Sequence, residues 1–220
     1  MSLIRLIQEL SSGMLVTLEI FFLTLIFSLP LGLLVSFGRM SKFTPLRLVV
    51  KVYISIMRGT PLMLQLMVIY FGPYFIFKVN MSNLPTNYRF YAVIIGFVIN
   101  YAAYFAEIFR GGIESIPEGQ YEAAKVLGYS KAQTFFRIIL LQVIKNVLPS
   151  VTNEVITLVK DTSLAFVIAV TEMFTLAKQL ASAEVSMTPY IAAGVFYYVF
   201  NYVVAFIMEK CEKKLNYFKA

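Results

Sequence analysis

Residues 113–130 read IESIPEGQYEAAKVLGYS, a stretch of glutamates, one lysine and a pair of alanines set between two apolar runs. Before it stands FYAVIIGFVINYAAYFAEIF at 90–109, and after it IILLQVIKNVLPSVTNEVITLV at 138–159. The polar stretch has the marks of a helix of its own. Ser115 followed three residues later by Glu118 has the spacing of a capping box, and Pro117 falls in the first turn, where its missing N–H costs nothing. Gly128 supplies a left-handed stop. These place a helix over about 116–128. Ser130 with Gln133 is a second capping box, which starts a long helix at Lys131 that runs to about Val159. The pattern predicts a helix, a turn and a helix at the surface of a membrane.

Composition makes the membrane the setting. Of 220 residues 59% are hydrophobic and only 14% charged, with 20 Phe and 14 Tyr. Several windows approach the roughly 20 apolar residues that cross a bilayer as helix, and none has the alternating pattern of a membrane barrel. A single cysteine, Cys211, and no histidine exclude internal disulfides, His/Cys metal sites and histidine acid–base chemistry. No GxxxxGK[ST] loop occurs, so any nucleotide must be bound by a partner.

Working outward from 113–130, five spans are predicted. The first covers about 14–37, after a short polar segment 1–13 without a cleavage pattern, and its Pro30 and Gly32 predict a bend or a close helix contact. The second is interrupted at Arg58, Gly59, Thr60 and Pro61, with 48–57 approaching along the membrane face and 60–77 crossing. A Pro- and Asn-containing loop leads into the third span, 90–109, ended by Arg110, Gly111 and Gly112. The fourth starts at Lys131. A break is expected at Lys160, Asp161, Thr162 and Ser163, followed by an apolar stretch, 164–177, too short to cross. The fifth covers 189–208, before a tail at 209–220.

Charge sets the orientation. Four basic residues lie in 39–51, five in 110–145 and four in the tail, which is thirteen of the 19, all on one side of the five-span layout. The positive-inside rule then places the N-terminus outside and the C-terminus, with the 113–130 elbow, in the cytoplasm. A net charge of +7 is accounted for by anionic lipid headgroups, and no nucleic-acid partner is expected.

Two groups of residues are candidates for function. On the elbow, Glu118 and Glu122 are either solvated charge or part of a docking surface, where Ala123 and Ala124 let another protein approach the backbone closely. Within the spans, ionisable groups are expensive and usually face a bundle interior or water. Lys160 and Asp161, with Thr162 and Ser163, either cap a helix break or offer both signs of charge to a zwitterion. Arg58 either faces a substrate carboxylate or anchors the helix at the headgroups. Asn100 and Glu107, seven residues apart and hence on one helix face, either line a pathway or join helices by hydrogen bonds.

The string EGQYEAAKVLGYSKAQTFFRIILLQ at 118–142 resembles the EAA loop of ABC importer permeases, with Glu122, Ala123, Ala124 and Gly128 at the positions of its pattern. YISIMRGTPLMLQLMVIYFG at 53–72, FRGGIESIPEGQ at 109–120 and LVKDTSLAFVIAVTEMF at 158–174 sharpen the likeness to the polar amino acid uptake branch, including histidine, glutamine and cystine permeases. Tyr129, Leu141 and Glu19 depart from the usual pattern. The resemblance implies an all-α integral membrane protein with the type I importer fold, not an enzyme. It also implies a second permease, identical or different, an ATPase dimer that binds ATP and Mg, and an external amino-acid-binding protein, in a bacterial cytoplasmic membrane. Glu118, Gly119, Glu122, Ala123, Ala124, Leu127 and Gly128 would then couple the chain to the ATPase. The rival readings are a self-sufficient secondary transporter or channel, which has few intramembrane carboxylates for ion coupling, and a scaffold, which leaves the polar residues at 160–163 without a purpose.

Overall fold

A computed structural model describes residues 3–80, 84–85 and 87–215, and every regular element among them is a helix. Part of the loop predicted before the third span and the end of the tail, 216–220, lie outside the described residues. The helices are α1 (Leu3–Arg39), α2 (Thr44–Gly59), α3 (Leu62–Phe77), α4 (Tyr88–Glu114), α5 (Glu118–Val126), α6 (Lys131–Ile168), α7 (Met173–Glu184) and α8 (Thr188–Leu215). α1, α4, α6 and α8 are each long and apolar enough to cross a membrane, and the bent pair α2–α3 makes five if counted as one span.

α1 and α4 form the most extensive helix pair, and small residues are the reason. Thr24, Ser28, Gly32 and Ser36 are buried small residues of α1, and at Gly32 the facing residues of α4 are Ala102, Phe105 and Ala106. Lipid is as apolar as leucine, so membrane helices gain from close backbone approach. At Gly32 a Cβ would come 2.7 Å from the Phe105 Cβ and 3.1 Å from the Ala102 carbonyl oxygen. Gly32→Ala is therefore expected to cost about 1–3 kcal/mol through overpacking. A lowered melting temperature of the purified protein checks this, with Gly111→Ala, whose Cβ meets nothing within 4 Å, as the control.

Several boundaries differ from the sequence reading. α1 begins at Leu3, so residues 3–13 are not a separate segment: Leu6, Leu10 and Gly13 are buried, and they pack with α7 and α8. α4 runs through Gly111 and Gly112 to Glu114, because Gly112 is where the side chains of Val143 and Val147 on α6 press against the backbone. The Ser115–Glu118 capping box does not form. Ser115 ends α4, its hydroxyl donates to the Gly112 carbonyl at 2.8 Å, and Pro117 stands at the start of α5. The Ser130–Gln133 box does form, with both reciprocal bonds present.

The interruption at 58–61 is confirmed, with α2 and α3 meeting at a 112° bend. Proline at 61 disfavours helix at the residue before it, and Thr60 is extended at φ −125 and ψ 149. The carbonyls left unpaired are taken up by one amide: Gln65 Nε2 donates towards the Met57 carbonyl at 3.0 Å and the Thr60 carbonyl at 3.1 Å. Asn100 Nδ2 reaches across from α4 to Met57 O at 3.1 Å and Gln65 Oε1 at 3.0 Å.

No break occurs at 160–163. α6 stays helical through Asp161, tightens to a 3₁₀ helix from Thr162 to Ile168, and ends where Ala169 turns left-handed at φ 58. Thr162 and Ser163 donate back to the Val159 and Lys160 carbonyls, which keeps the chain wound. The stretch 164–177 is thus the end of one helix and the start of another. Glu172, fully buried, is its hinge pin: its carboxylate accepts from the Phe174 and Thr175 amides at 2.7 and 2.8 Å and from the Tyr197 hydroxyl of α8 at 3.0 Å. A buried carboxylate is stable there because it caps α7 and joins it to α8.

Candidate functional site

Two sites emerge, one on α5 and one halfway along the bundle. α5 ends in a Schellman motif: Gly128, at φ 77, lets the Tyr129 amide reach the Ala124 carbonyl at 3.0 Å and the Gly128 amide reach Lys125 O at 3.0 Å. This closure satisfies the last carbonyls of α5 and turns the chain into α6. Gln142 Nε2 of α6 donates to Gln120 Oε1 at 3.3 Å, and Asn146 Nδ2 donates to Ser115 Oγ at 3.1 Å. The elbow is therefore held to the long helix at two points.

Of the predicted elbow residues, Ala124 is 1% exposed and faces the chain itself. Its neighbour on that side, Tyr121, is half covered, and burial raises its phenol above the ordinary value. Glu118, Gly119, Glu122 and Ala123 are exposed on the opposite face. Val126 and Leu127 stand 87% and 72% exposed at its end. An outward face with two carboxylates, a bare glycine and two uncovered apolar side chains is suited to a partner's groove: the apolar pair supplies burial and the glycine a close approach.

The second site gathers residues from three helices. Tyr101, midway along α4, donates its hydroxyl to Asp161 Oδ2 of α6 at 2.7 Å. Arg58, the last charged residue of α2, holds its guanidinium 5.3 Å from the centre of the Tyr104 ring. Glu154, half-buried one heptad before Asp161, lies within electrostatic range of both Arg58 and Asp161. Two half-buried carboxylates and an exposed guanidinium thus border one polar region of an apolar bundle, beside Tyr101 and Tyr104 and without an ion pair among them. Such a cluster can take a small molecule carrying an ammonium and a carboxylate at once.

The other predicted pathway residues stand apart from it. Asn100 is spent on Met57 and Gln65. Glu107 accepts from Arg110 at 2.7 Å and pairs with Arg39 at 3.5 Å, tying the ends of α1 and α4. Lys160 is exposed, while Thr162 and Ser163 bond their own helix. Glu154, Tyr101 and Tyr104 were missed in the sequence. Glu154 left a signal, a carboxylate seven residues before Asp161 in an apolar run, while nothing marked the tyrosines among 14. Among the described residues, no three His, Cys, Asp or Glu side chains gather as a metal site.

Residues 28–217 match the family described as the binding-protein-dependent transport system inner membrane component. The chain belongs to that family. It is a permease subunit of an ATP-driven importer, a transport component that leaves ATP hydrolysis to a separate subunit. The chain is 35% identical to the L-cystine transport system permease protein TcyB of Bacillus subtilis, over 96% of this chain and 88% of that protein. It is 36% identical to the arginine transport system permease protein ArtQ of the same organism, over 93% and 91%. Among solved structures, an amino acid ABC transporter crystallised with histidines superposes with a TM-score of 0.84 at 32% identity, covering 96% of each chain. As a family member this permease works with an ATPase and a substrate-binding protein.

Proposed function

We propose that this permease imports a polar L-amino acid of the cystine or glutamine type. Its ammonium group would be received by Glu154 and Asp161 and its carboxylate by Arg58. The observation that supports this reading is that Glu154 stands within electrostatic range of both Asp161 and Arg58, which brings both signs of charge near one another inside the bundle. The relatives named for cystine and arginine transport support the substrate class. The N-terminus lies outside and the C-terminus in the cytoplasm, in accord with the basic residues at 39–51, 110–145 and the tail. The transmembrane domain covers about 14–208 with its helical lead from Leu3, and the coupling helix is α5 with its turn. The translocation path is completed by a second permease, identical or different.

On this reading ATP and Mg bind an ATPase dimer, which grips the outward face of α5. Movement of that rigid helix carries α6, and with it Glu154 and Asp161, relative to α2 and Arg58. The two carboxylates and the guanidinium would separate and approach as the path opens to one side and then the other, the differential contact that alternating access requires. The test is reconstitution with the cognate ATPase and binding protein in vesicles. The expected result is ATP-dependent uptake, with hydrolysis stimulated by the amino-acid-loaded binding protein and a panel of cystine, glutamine and arginine ranking the substrates. Uptake by the permease alone, driven by an ion gradient, would overturn it in favour of a secondary transporter.

A further inference from the structure

α2 has three faces, and the fold uses only one. Val50, Tyr53, Ile54 and Met57 pack against α1 and α4, where the Tyr53 hydroxyl donates to the Ile99 carbonyl at 2.5 Å. A second arc, Leu48, Val49, Val52 and Ile56, is apolar and between 49% and 67% exposed. The third arc, spaced i, i+4 and i+11, carries Arg47, Lys51 and Arg58. Lys42 and the exposed Phe43 lead into the helix. The segment from Arg39 to Pro61 contains no acidic residue. Among the described residues, Lys42, Arg47 and Lys51 form no ion pair.

This is not the pattern of a crossing helix. α2 leaves the end of α1 and turns through 112° into α3, while its far end sits beside Asn100 and Tyr104 on α4. It therefore runs obliquely, from the end of the bundle to about its middle over its 16 residues, and does not reach the other side. A helix with an apolar arc flanked by cations that lies along a membrane face is the arrangement of interfacial helices. Cations without protein partners there meet lipid phosphates, and an aromatic residue at the entry is a common anchor.

We propose that α2 is an anionic-lipid-binding helix. Leu48, Val49, Val52 and Ile56 lie among the acyl chains of the inner leaflet, and Lys42, Arg47 and Lys51 bind headgroups of anionic phospholipids. Arg58 closes the same basic stripe but turns to the Tyr104 ring, so the seating of α2 on the bilayer sets where this guanidinium stands relative to Glu154 and Asp161. Lipid charge thereby becomes a regulator of import. The inner-leaflet placement rests on the orientation proposed above.

The experiment uses the assembled transporter with Cys211→Ser as background. A fluorophore is placed at Val49→Cys, Val52→Cys or Lys51→Cys, in vesicles with or without phosphatidylglycerol and with brominated acyl chains as quencher. Quenching several-fold greater at positions 49 and 52 than at 51, and deeper with phosphatidylglycerol, is the expected result. The triple variant Lys42→Gln/Arg47→Gln/Lys51→Gln should lose that dependence. Its uptake should also become indifferent to lipid charge, whereas the unsubstituted transporter gains about threefold or more with anionic lipid. Labels at 49 and 52 that escape the quencher, together with disulfides formed between two permeases when the same cysteines are left unlabelled and treated with an oxidant, would overturn the proposal and make this arc a permease contact. So would uptake and quenching in the unsubstituted transporter that ignore phosphatidylglycerol. Quenching needs no transport, so a failure of the lipid proposal is separable from a failure of the amino acid reading.

Discussion

Gly128→Val should reduce ATP-driven uptake by about tenfold or more while leaving the permease folded in the membrane. Gly128 sits at φ 77, and an L-residue there costs roughly 1–2 kcal/mol, more for a β-branched one. The backbone escapes by leaving the left-handed region, which breaks the closure of Tyr129 and Gly128 onto the Ala124 and Lys125 carbonyls. That closure sets the angle at which α5 meets α6, so the outward face of α5 no longer presents itself as one piece. Since the space around Gly128 is open, strain and not collision is the cause. Gly128→Asn, which tolerates the left-handed region, should keep most of the activity. Glu122→Lys, which reverses charge on the exposed face without touching the turn, should match the valine variant. The measurement is uptake in vesicles beside ATPase stimulation by the loaded binding protein. Wild-type uptake in both Gly128→Val and Glu122→Lys would remove α5 as the coupling element.

Asp161→Asn is the second large effect. Asparagine keeps an acceptor for the Tyr101 hydroxyl, now at 2.7 Å from Asp161, and changes little but the charge. With the carboxylate gone, on the proposed reading, an ammonium group loses one of its two anionic contacts at a half-buried position. Losing a hydrogen bond to a charged group costs about 1.5–3 kcal/mol, a fall in uptake of roughly tenfold or more at limiting substrate. Arg58→Gln should do the same from the carboxylate end. Neither substitution should alter binding of the amino acid to the external binding protein or the basal ATPase rate, which separates a pathway defect from misassembly. Tyr101→Phe should be milder, since it takes away an orienting bond and no charge. If Asp161→Asn and Arg58→Gln both transport with unchanged affinity and rate, the cluster is structural and the substrate passes elsewhere.

How far each feature was readable depends on the range of the interaction behind it. The Ser130–Gln133 cap, the Gly128 stop and the bend at Pro61 are set by residues within a few positions of one another, and all three stand where the sequence placed them. The Ser115–Glu118 cap shows the limit. The spacing is correct, but packing of Gly112 against Val143 and Val147 prolongs α4 and leaves Ser115 on a helix end. Lys160–Ser163 shows it again: polar residues that suggested a break are wound into a helix because two hydroxyls return to their own carbonyls. Ala124 belongs to the motif that named the family, yet the turn it belongs to faces it inward.

By itself the sequence determined the membrane setting, the order of the spans though not their ends, the elbow and its turn, and the family. Hydropathy, capping and glycine or proline stereochemistry act along the chain and need no partner helix. Only the tertiary structure decided which charges meet. Arg58, Tyr101, Glu154 and Asp161 come from three helices separated by up to a hundred residues, and their meeting depends on the close approach of α1 and α4, the 112° bend and the path of α6. It also decided which face of α5 and which arc of α2 are left exposed, because exposure is what packing leaves over.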